Sequence, residues 1–259
     1  MRELPLYLQF TALDLCYGFP SWHTFTRDVH ALASDCVKDG LTYYNMYKML
    51  RNRFGYLGWW PGETNDEIII GAVLTQQTSW RNVERALANL KGSHAINLKK
   101  IGRMNLKRLE TLLRPSGFYR QKARRLKAIS RYIYHNYRSL DELLSKDRVS
   151  LRKELLSLDG VGKETADSII LYAAGKPVFV VDAYTRRILN RVYGIDTDME
   201  YDKLSAMIGG SIRPDLELYK DFHAQLVELG KRHCRPKPVC KGCPINEHCA
   251  YFISLTNDR

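Results

Sequence analysis

Three stretches of this 259-residue chain carry side chains whose types and spacing could do chemistry. Asp182 stands in VVDAYTRRILNR, directly ahead of a run with helical spacing. A carboxylate fixed there can stabilise positive charge developing on a sugar and orient an attacking water, and it can also cap the helix that follows, as Asp commonly does. Gly160 and Gly162 bracket a valine in LDGVGKETADSI. Glycines tolerate positive φ and strip side chains from a bend, so the N–H groups opening the next helix can face an anionic oxygen; a plain turn between helices uses glycine in the same way. Cys234, Cys240, Cys243 and Cys249 follow the pattern C-x5-C-x2-C-x5-C. Four thiolates so closely spaced suit a metal group, and Arg235, Lys237 and Lys241 beside them would ease deprotonation.

The elements that must position these residues read as helices. Residues 43–54 have a helical pattern, which Gly58, Pro61 and Gly62 break around the adjacent Trp59 and Trp60. EIIIGAVLTQQTSW begins apolar and ends polar, and beyond it Trp80, Val83, Leu87 and Leu90 recur at helical spacing, predicting two helices joined by a polar turn. A turn over Pro115–Gly117 precedes a helix with Leu126, Ile129 and Ile133 on one side and cations on the other. After the glycine bend, Ala166, Ile169, Ile170, Ala173 and Ala174 form an apolar stripe that Gly175 and Pro177 end; Tyr184, Ile188 and Val192 are the expected buried residues of the last of these helices. VFVV, before Asp182, is long enough for a short strand but does not require a sheet. The expected fold class is all-α.

Composition sets wider bounds. The net charge of +12 favours a polyanionic partner. No apolar run approaches the ~20 residues needed to cross a bilayer, and Glu3 and Pro5 interrupt any signal-peptide core, so a cytoplasmic, monomeric protein without membrane contact is expected. Crowding of the cysteines at one end is not the distribution of a secreted disulfide framework, and Cys16 and Cys36 read as small buried hydrophobes. Residues 1–40 form an extension with no interpretable motif.

LDGVGKETADSI together with VVDAYTRRILNR resembles the helix-hairpin-helix, Gly/Pro-rich, Asp (HhH-GPD) superfamily of DNA glycosylases, of which endonuclease III is a member. The resemblance runs from roughly residue 55 to 250. It implies two helical domains, one over 41–66 plus 177–259 and one over 67–176, with double-stranded DNA held in the cleft between them. It implies Asp182 at the mouth of a base pocket, a hairpin gripping phosphate through Gly160, Gly162, Lys163 and Thr165, and Gln77 filling the hole left by a flipped nucleotide. Arg120, Lys122, Arg124 and Arg125 either contact phosphates or form an ordinary solvated helix face. It also implies a [4Fe-4S] cluster on Cys234, Cys240, Cys243 and Cys249, although the family has six residues in the first gap where this chain has five; zinc is the chemical alternative.

One position narrows the chemistry. Bifunctional members carry a nucleophilic lysine where this chain has Glu164, which cannot form a Schiff base. Lys163 lies one residue earlier, about 100° around a helix. Hydrolysis without lyase activity is therefore expected. WWP at 59–61, GAVLTQQT and GVGKETADSIILY are similar to 3-methyladenine glycosylases of the endonuclease III type, which implies a pocket walled by Trp59, Trp60, Pro61 and Trp80 for a cationic alkylated purine, since a π face attracts positive charge. Relatives of that branch carry Phe where Trp80 stands. Ala72 occupies the place of the glutamate that adenine-mismatch glycosylases require. A thymine or uracil mismatch glycosylase, and a non-catalytic binder of distorted DNA, are the competing readings.

Overall fold

The computed structural model describes residues 41–57, 60 and 62–257. All regular structure among them is helical, as the periodicity predicts. In chain order the helices are α1 (Tyr43–Phe54), α2 (Asn65–Leu74), α3 (Trp80–Gly92), α4 (Leu98–Arg103), α5 (Leu106–Leu113), α6 (Tyr119–Asn136), α7 (Leu140–Leu144), α8 (Arg148–Leu156), α9 (Lys163–Ser168), α10 (Ala183–Tyr193), α11 (Tyr201–Gly210), α12 (Leu216–Arg232) and α13 (Ala250–Asn257). Short polar side chains set many of the starts: Thr42, Thr64, Ser139, Asp147 and Asp215 each accept a backbone N–H of the first turn, satisfying donors a helix leaves open. VFVV forms no strand, and it delivers Phe179, Val180 and Val181 to the interior. No described helix is long and apolar enough to cross a membrane.

The buried apolar side chains form two clusters. One is built from residues between Ile69 and Ile170, around α2 to α9. The other joins α1 and Ile68 to residues from Leu171 to Ile245. The chain therefore passes between cores twice, within α2 and just after α9. Helix α2 is apolar all round, with Ile68 in one cluster and Ile69, Ile70, Val73 and Leu74 in the other, the pattern of a helix enclosed on every side. Trp60, Ala173 and Val178 pack against both clusters. The amphipathic α6 buries Leu126, Ile129 and Ile133 as its spacing predicts, while Ala173 and Ala174 at the end of the α9 stripe, like Tyr184, are only half-buried.

Two local features decide what the crossings present. Helix α9 continues as a π-helical turn over Ile169–Ala173, and the extra residue in such a turn re-aims side chains relative to an α-helix. Here the turn carries Tyr172, 7 % exposed, into the second cluster. The segment leading from α1 to Trp60 is pinned by Asp221 of α12, a fully buried carboxylate that accepts from the Tyr47 hydroxyl (3.0 Å), Arg51 Nη1 (3.2 Å) and the Leu57 N–H (3.0 Å). Gln225, one turn on, donates to the Gly55 carbonyl at 2.6 Å.

Candidate active site

Asp182 sits at the start of α10, with its side chain 15 % exposed. Oδ1 accepts from the Thr185 N–H at 2.7 Å and the Thr185 hydroxyl at 2.9 Å, so capping fixes the carboxylate's orientation. Oδ2 faces His223 Nε2 of α12 at 3.6 Å, within ion-pair range but too long for a hydrogen bond. The other ring nitrogen of His223 shares a 2.6 Å hydrogen bond with the Tyr172 hydroxyl. Burial pushes the acidity of Asp182 toward a higher pKa, but His223 and the two donors of Thr185 outweigh it and hold the carboxyl below its ordinary range. Asp182 is thus an oriented anion at the floor of a cleft.

The cleft is open and large, about 980 Å³, at the upper end of the ~300–1,000 Å³ of small-molecule pockets. Its walls bring together Trp60, Gln77, Trp80, the hairpin 160–165 and Asp182. Trp60 meets Trp80 edge-on at 5.6 Å between ring centroids and Tyr172 at 4.9 Å. Trp59 and Pro61, the other expected wall residues, lie outside the described residues, as do residues 1–40. Gln77 is exposed in the turn between α2 and α3 and adopts the left-handed conformation, φ 52°, which is uncommon for a residue other than glycine. Sites of this kind concentrate where function over-determines the backbone.

Several expected phosphate contacts turn inward instead. Lys122 is 1 % exposed and donates to the carbonyls of Leu74 (2.9 Å) and Ser116 (2.6 Å); two carbonyl partners outcompete solvent for an amine enclosed by α6. Thr165 is buried, and its hydroxyl accepts from Gln76 Nε2 at 3.0 Å. Arg125 donates to Gln76 Oε1 at 2.6 Å and lies beneath Gly160, where an added Cβ would fall 2.1 Å from its Nε. Lys163 is held by Asp202 at 2.6 Å and by Glu200, rather than standing free for phosphate. Arg120 remains exposed, over the Tyr119 ring, and Arg124 is exposed on the same helix. In the hairpin itself, Gly160 uses its freedom, at φ +77° and in close approach to Arg125, whereas Gly162 is extended and its missing Cβ leaves open space over the start of α9.

Glu164 is exposed to cleft water but flanked by the cleft's walls; desolvation first, then the Asp182 carboxylate, push its pKa up to about 7. The cleft therefore holds two carboxyls with opposite tendencies, Asp182 ionised and Glu164 half-protonated near neutrality. The amine one residue earlier points to the acidic pair on the other side. Tyr172, His223 and Phe118 escaped the sequence reading. Tyr172 and His223 meet across fifty-one residues through a π turn that carries no local signal. Phe118 is a large apolar residue 62 % exposed at φ 43°, and its place between Gly117 and a helix start is the one clue the sequence held.

The four C-terminal cysteines line a separate cavity between α10 and α13, of about 370 Å³ with its solvent space. The described residues include no group of three or more His, Cys, Asp or Glu side chains close enough to hold a single ion. All four cysteines line this one cavity, and four thiolates are a donor set that suits either an iron–sulfur cluster or a tetrahedral zinc site. The cation that reaches them is Arg191, 3.3 Å from Cys234 Sγ, not Arg235, whose guanidinium donates to the Lys231 carbonyl. Burial pushes Cys240, Cys249 and especially Cys243, to about 11, toward the thiol form; ionising them needs positive charge inside the cavity.

Residues 70–214 match the HhH-GPD superfamily of base excision DNA repair proteins. The chain belongs to that superfamily. It is 47 % identical to "Putative DNA repair glycosylase MJ1434" of Methanocaldococcus jannaschii over 80 % of its own length and 94 % of the relative's. It is 31 % identical to endonuclease III of Thermotoga maritima over 71 % of this chain and 82 % of that one. Among solved structures, the 3-methyladenine DNA glycosylase MagIII of H. pylori bound to 1,N6-ethenoadenine is similar, with a TM-score of 0.67 and 33 % identity over 74 % of this chain and 98 % of that one. In the helix-hairpin-helix of this chain α8 and α9 are the helices and 157–162 the hairpin.

Two pH effects follow from the carboxyls. Replacing His223 by the neutral Gln removes the group that does most to hold Asp182 ionised, so the acid limb of a base-release rate profile should move to higher pH; an unmoved limb contradicts the assignment. Glu164 has a raised pKa in the folded chain, so its favourable contribution is complete below the unfolded value and is lost as pH rises through about 7. Glu164→Gln should raise Tm at pH 8 and change it little at pH 5; equal shifts at both would show that charge is not the cause.

Proposed function

We propose that this protein is a monofunctional DNA glycosylase of base excision repair that extrudes a damaged base from double-stranded DNA, most favourably an alkylated purine such as 3-methyladenine, and releases it by hydrolysis. The observation that carries the proposal is the ionised, oriented Asp182 at the floor of an aromatic-walled cleft, with a carboxyl rather than an amine at residue 164. Severing an N-glycosidic bond builds positive charge on the sugar. Asp182 stabilises that charge electrostatically and aligns the water that attacks the anomeric carbon, while its cap contacts prevent reorientation.

The two cores are proposed as the two domains that close on DNA, with the net charge of +12 supplying sequence-independent attraction. Trp60, backed by Tyr172, and Trp80 offer π faces to a flipped base; a cationic alkylpurine gains about 0.5–2 kcal/mol there, and its charge makes it a good leaving group. The ethenoadenine-bound 3-methyladenine glycosylase, at 33 % identity, supports this substrate class. Gln77 and the exposed Phe118 are proposed to occupy the stack that the base leaves, offsetting part of an extrusion cost of a few kcal/mol. The cysteine cavity is proposed to hold a [4Fe-4S] cluster on Cys234, Cys240, Cys243 and Cys249; when bound, it supplies the cationic iron that buried thiolates need and ties the C-terminal segment to α10. No catalytic step is assigned to it.

Base release from duplexes carrying methylated purines, 1,N6-ethenoadenine, uracil or thymine mismatches, or oxidised pyrimidines tests the proposal. Release should be fastest from the alkylated purines and fall at least about 100-fold in Asp182→Asn, with DNA affinity kept. Fastest release from the mismatches would replace the substrate assignment, and no release from any duplex would leave a binder.

A further inference from the structure

Lys122 is a buried cation with no ion-pair partner among the described residues. Its desolvation is unfavourable enough to lower its pKa to about 8, although a methionine could fill comparable space without that penalty. What the ammonium does hold is informative. Leu74 ends α2, and its carbonyl is the root of the turn 75–79 that presents Gln77. Ser116 ends the 3₁₀ turn after α5, and its carbonyl is the root of the turn that presents Phe118.

The two turns share an unusual construction. Each puts a non-glycine residue in the left-handed region, Gln77 at φ 52° and Phe118 at φ 43°, and each leaves that side chain exposed on the rim of the same cleft. The Gln77 turn is also fastened from its other side, because Gln76 donates to the Gly160 carbonyl at 2.9 Å and to Thr165. The Phe118 turn is held by the amine of Lys122, one turn into α6, and the 3₁₀ turn before it packs against α3. A single group with three donors thus bridges two carbonyls that belong to turns forty residues apart in sequence.

We propose that Lys122 is a positioning residue that makes the Gln77 and Phe118 turns one rigid unit, so that both side chains enter the duplex together when a base is extruded. The proposal rests on the reading that this protein extrudes bases. Prior ordering removes the entropy loss that two independent turns would suffer on entering the stack. Neither the ammonium nor its aliphatic stem need touch DNA.

The test uses the full chain, a duplex with 2-aminopurine beside ethenoadenine, and a duplex with a stable abasic analogue, from which no base must be drawn. Lys122→Met should slow the rise of 2-aminopurine fluorescence about tenfold while abasic affinity stays near wild type, and should add nothing in a Gln77→Ala/Phe118→Ala background. Equal losses on both duplexes, wild-type extrusion, or a loss that persists in the double-alanine background would each overturn it. Wild type that neither brightens the probe nor releases base overturns the functional reading, and the coupling with it; normal wild type beside an undiminished Lys122→Met overturns the coupling alone. Should Lys122→Met fail to fold, hydrogen exchange on wild type decides: amides of 75–79 and 116–118 should be protected and open together, and free exchange in either turn overturns the proposal.

Discussion

Everything at the site depends on keeping one carboxylate ionised and still in a place that disfavours charge. Asp182 lies where the chain has just re-entered its second core, and burial alone would neutralise it. The opposing forces come from three directions: the N–H groups opening α10, the Thr185 hydroxyl, and the His223 imidazole. A helix N-terminus favours an anion in its own right. Thr185 holds one oxygen, which leaves the other turned toward His223 and the cleft. The carboxylate is therefore preorganised before any substrate arrives, the condition under which electrostatic stabilisation contributes most.

The surrounding fold can be understood as the means of carrying those partners to one point. His223 is on α12, whose neighbouring Asp221 and Gln225 also fix the segment leading to Trp60. Tyr172 reaches both His223 and Trp60 because the end of α9 is wound as a π turn. The same two side chains thus link the aromatic wall to the anion. On the opposite rim the hairpin is bound to the Gln77 turn through Gln76, Thr165 and Arg125, so residues that resemble DNA contacts in sequence act first on one another.

Much of this was legible in the sequence, and the exceptions have a common cause. Periodicity located α1 and α6 and the buried face of α6, because an amphipathic helix writes its own orientation. Asp182 was legible as a cap, and the anion proposed for the reaction needs the same residue before the same helix. The protein partners of Lys122, Arg125, Thr165 and Lys163 were not legible, because a sequence displays charge and polarity but not the carbonyls, amides and carboxylates that tertiary packing brings against them. On α6, Lys122 and Arg124 are two residues apart; one is enclosed and the other exposed. Tyr172 and His223 were invisible for the complementary reason: their meeting depends on a backbone irregularity and on contacts distant in sequence. The spacing of the cysteines suits a metal group, but the cation that approaches them, Arg191, comes from another helix.

We propose that a carboxylate and water, with no amine, carry the reaction. Borohydride reduction during incubation with abasic DNA tests it most directly, because only a Schiff base leaves protein covalently joined to DNA. Wild type should remain uncoupled, and Glu164→Lys, which returns an amine to that wall of the cleft, should become trapped. Abundant trapping of wild type would contradict the account at its root.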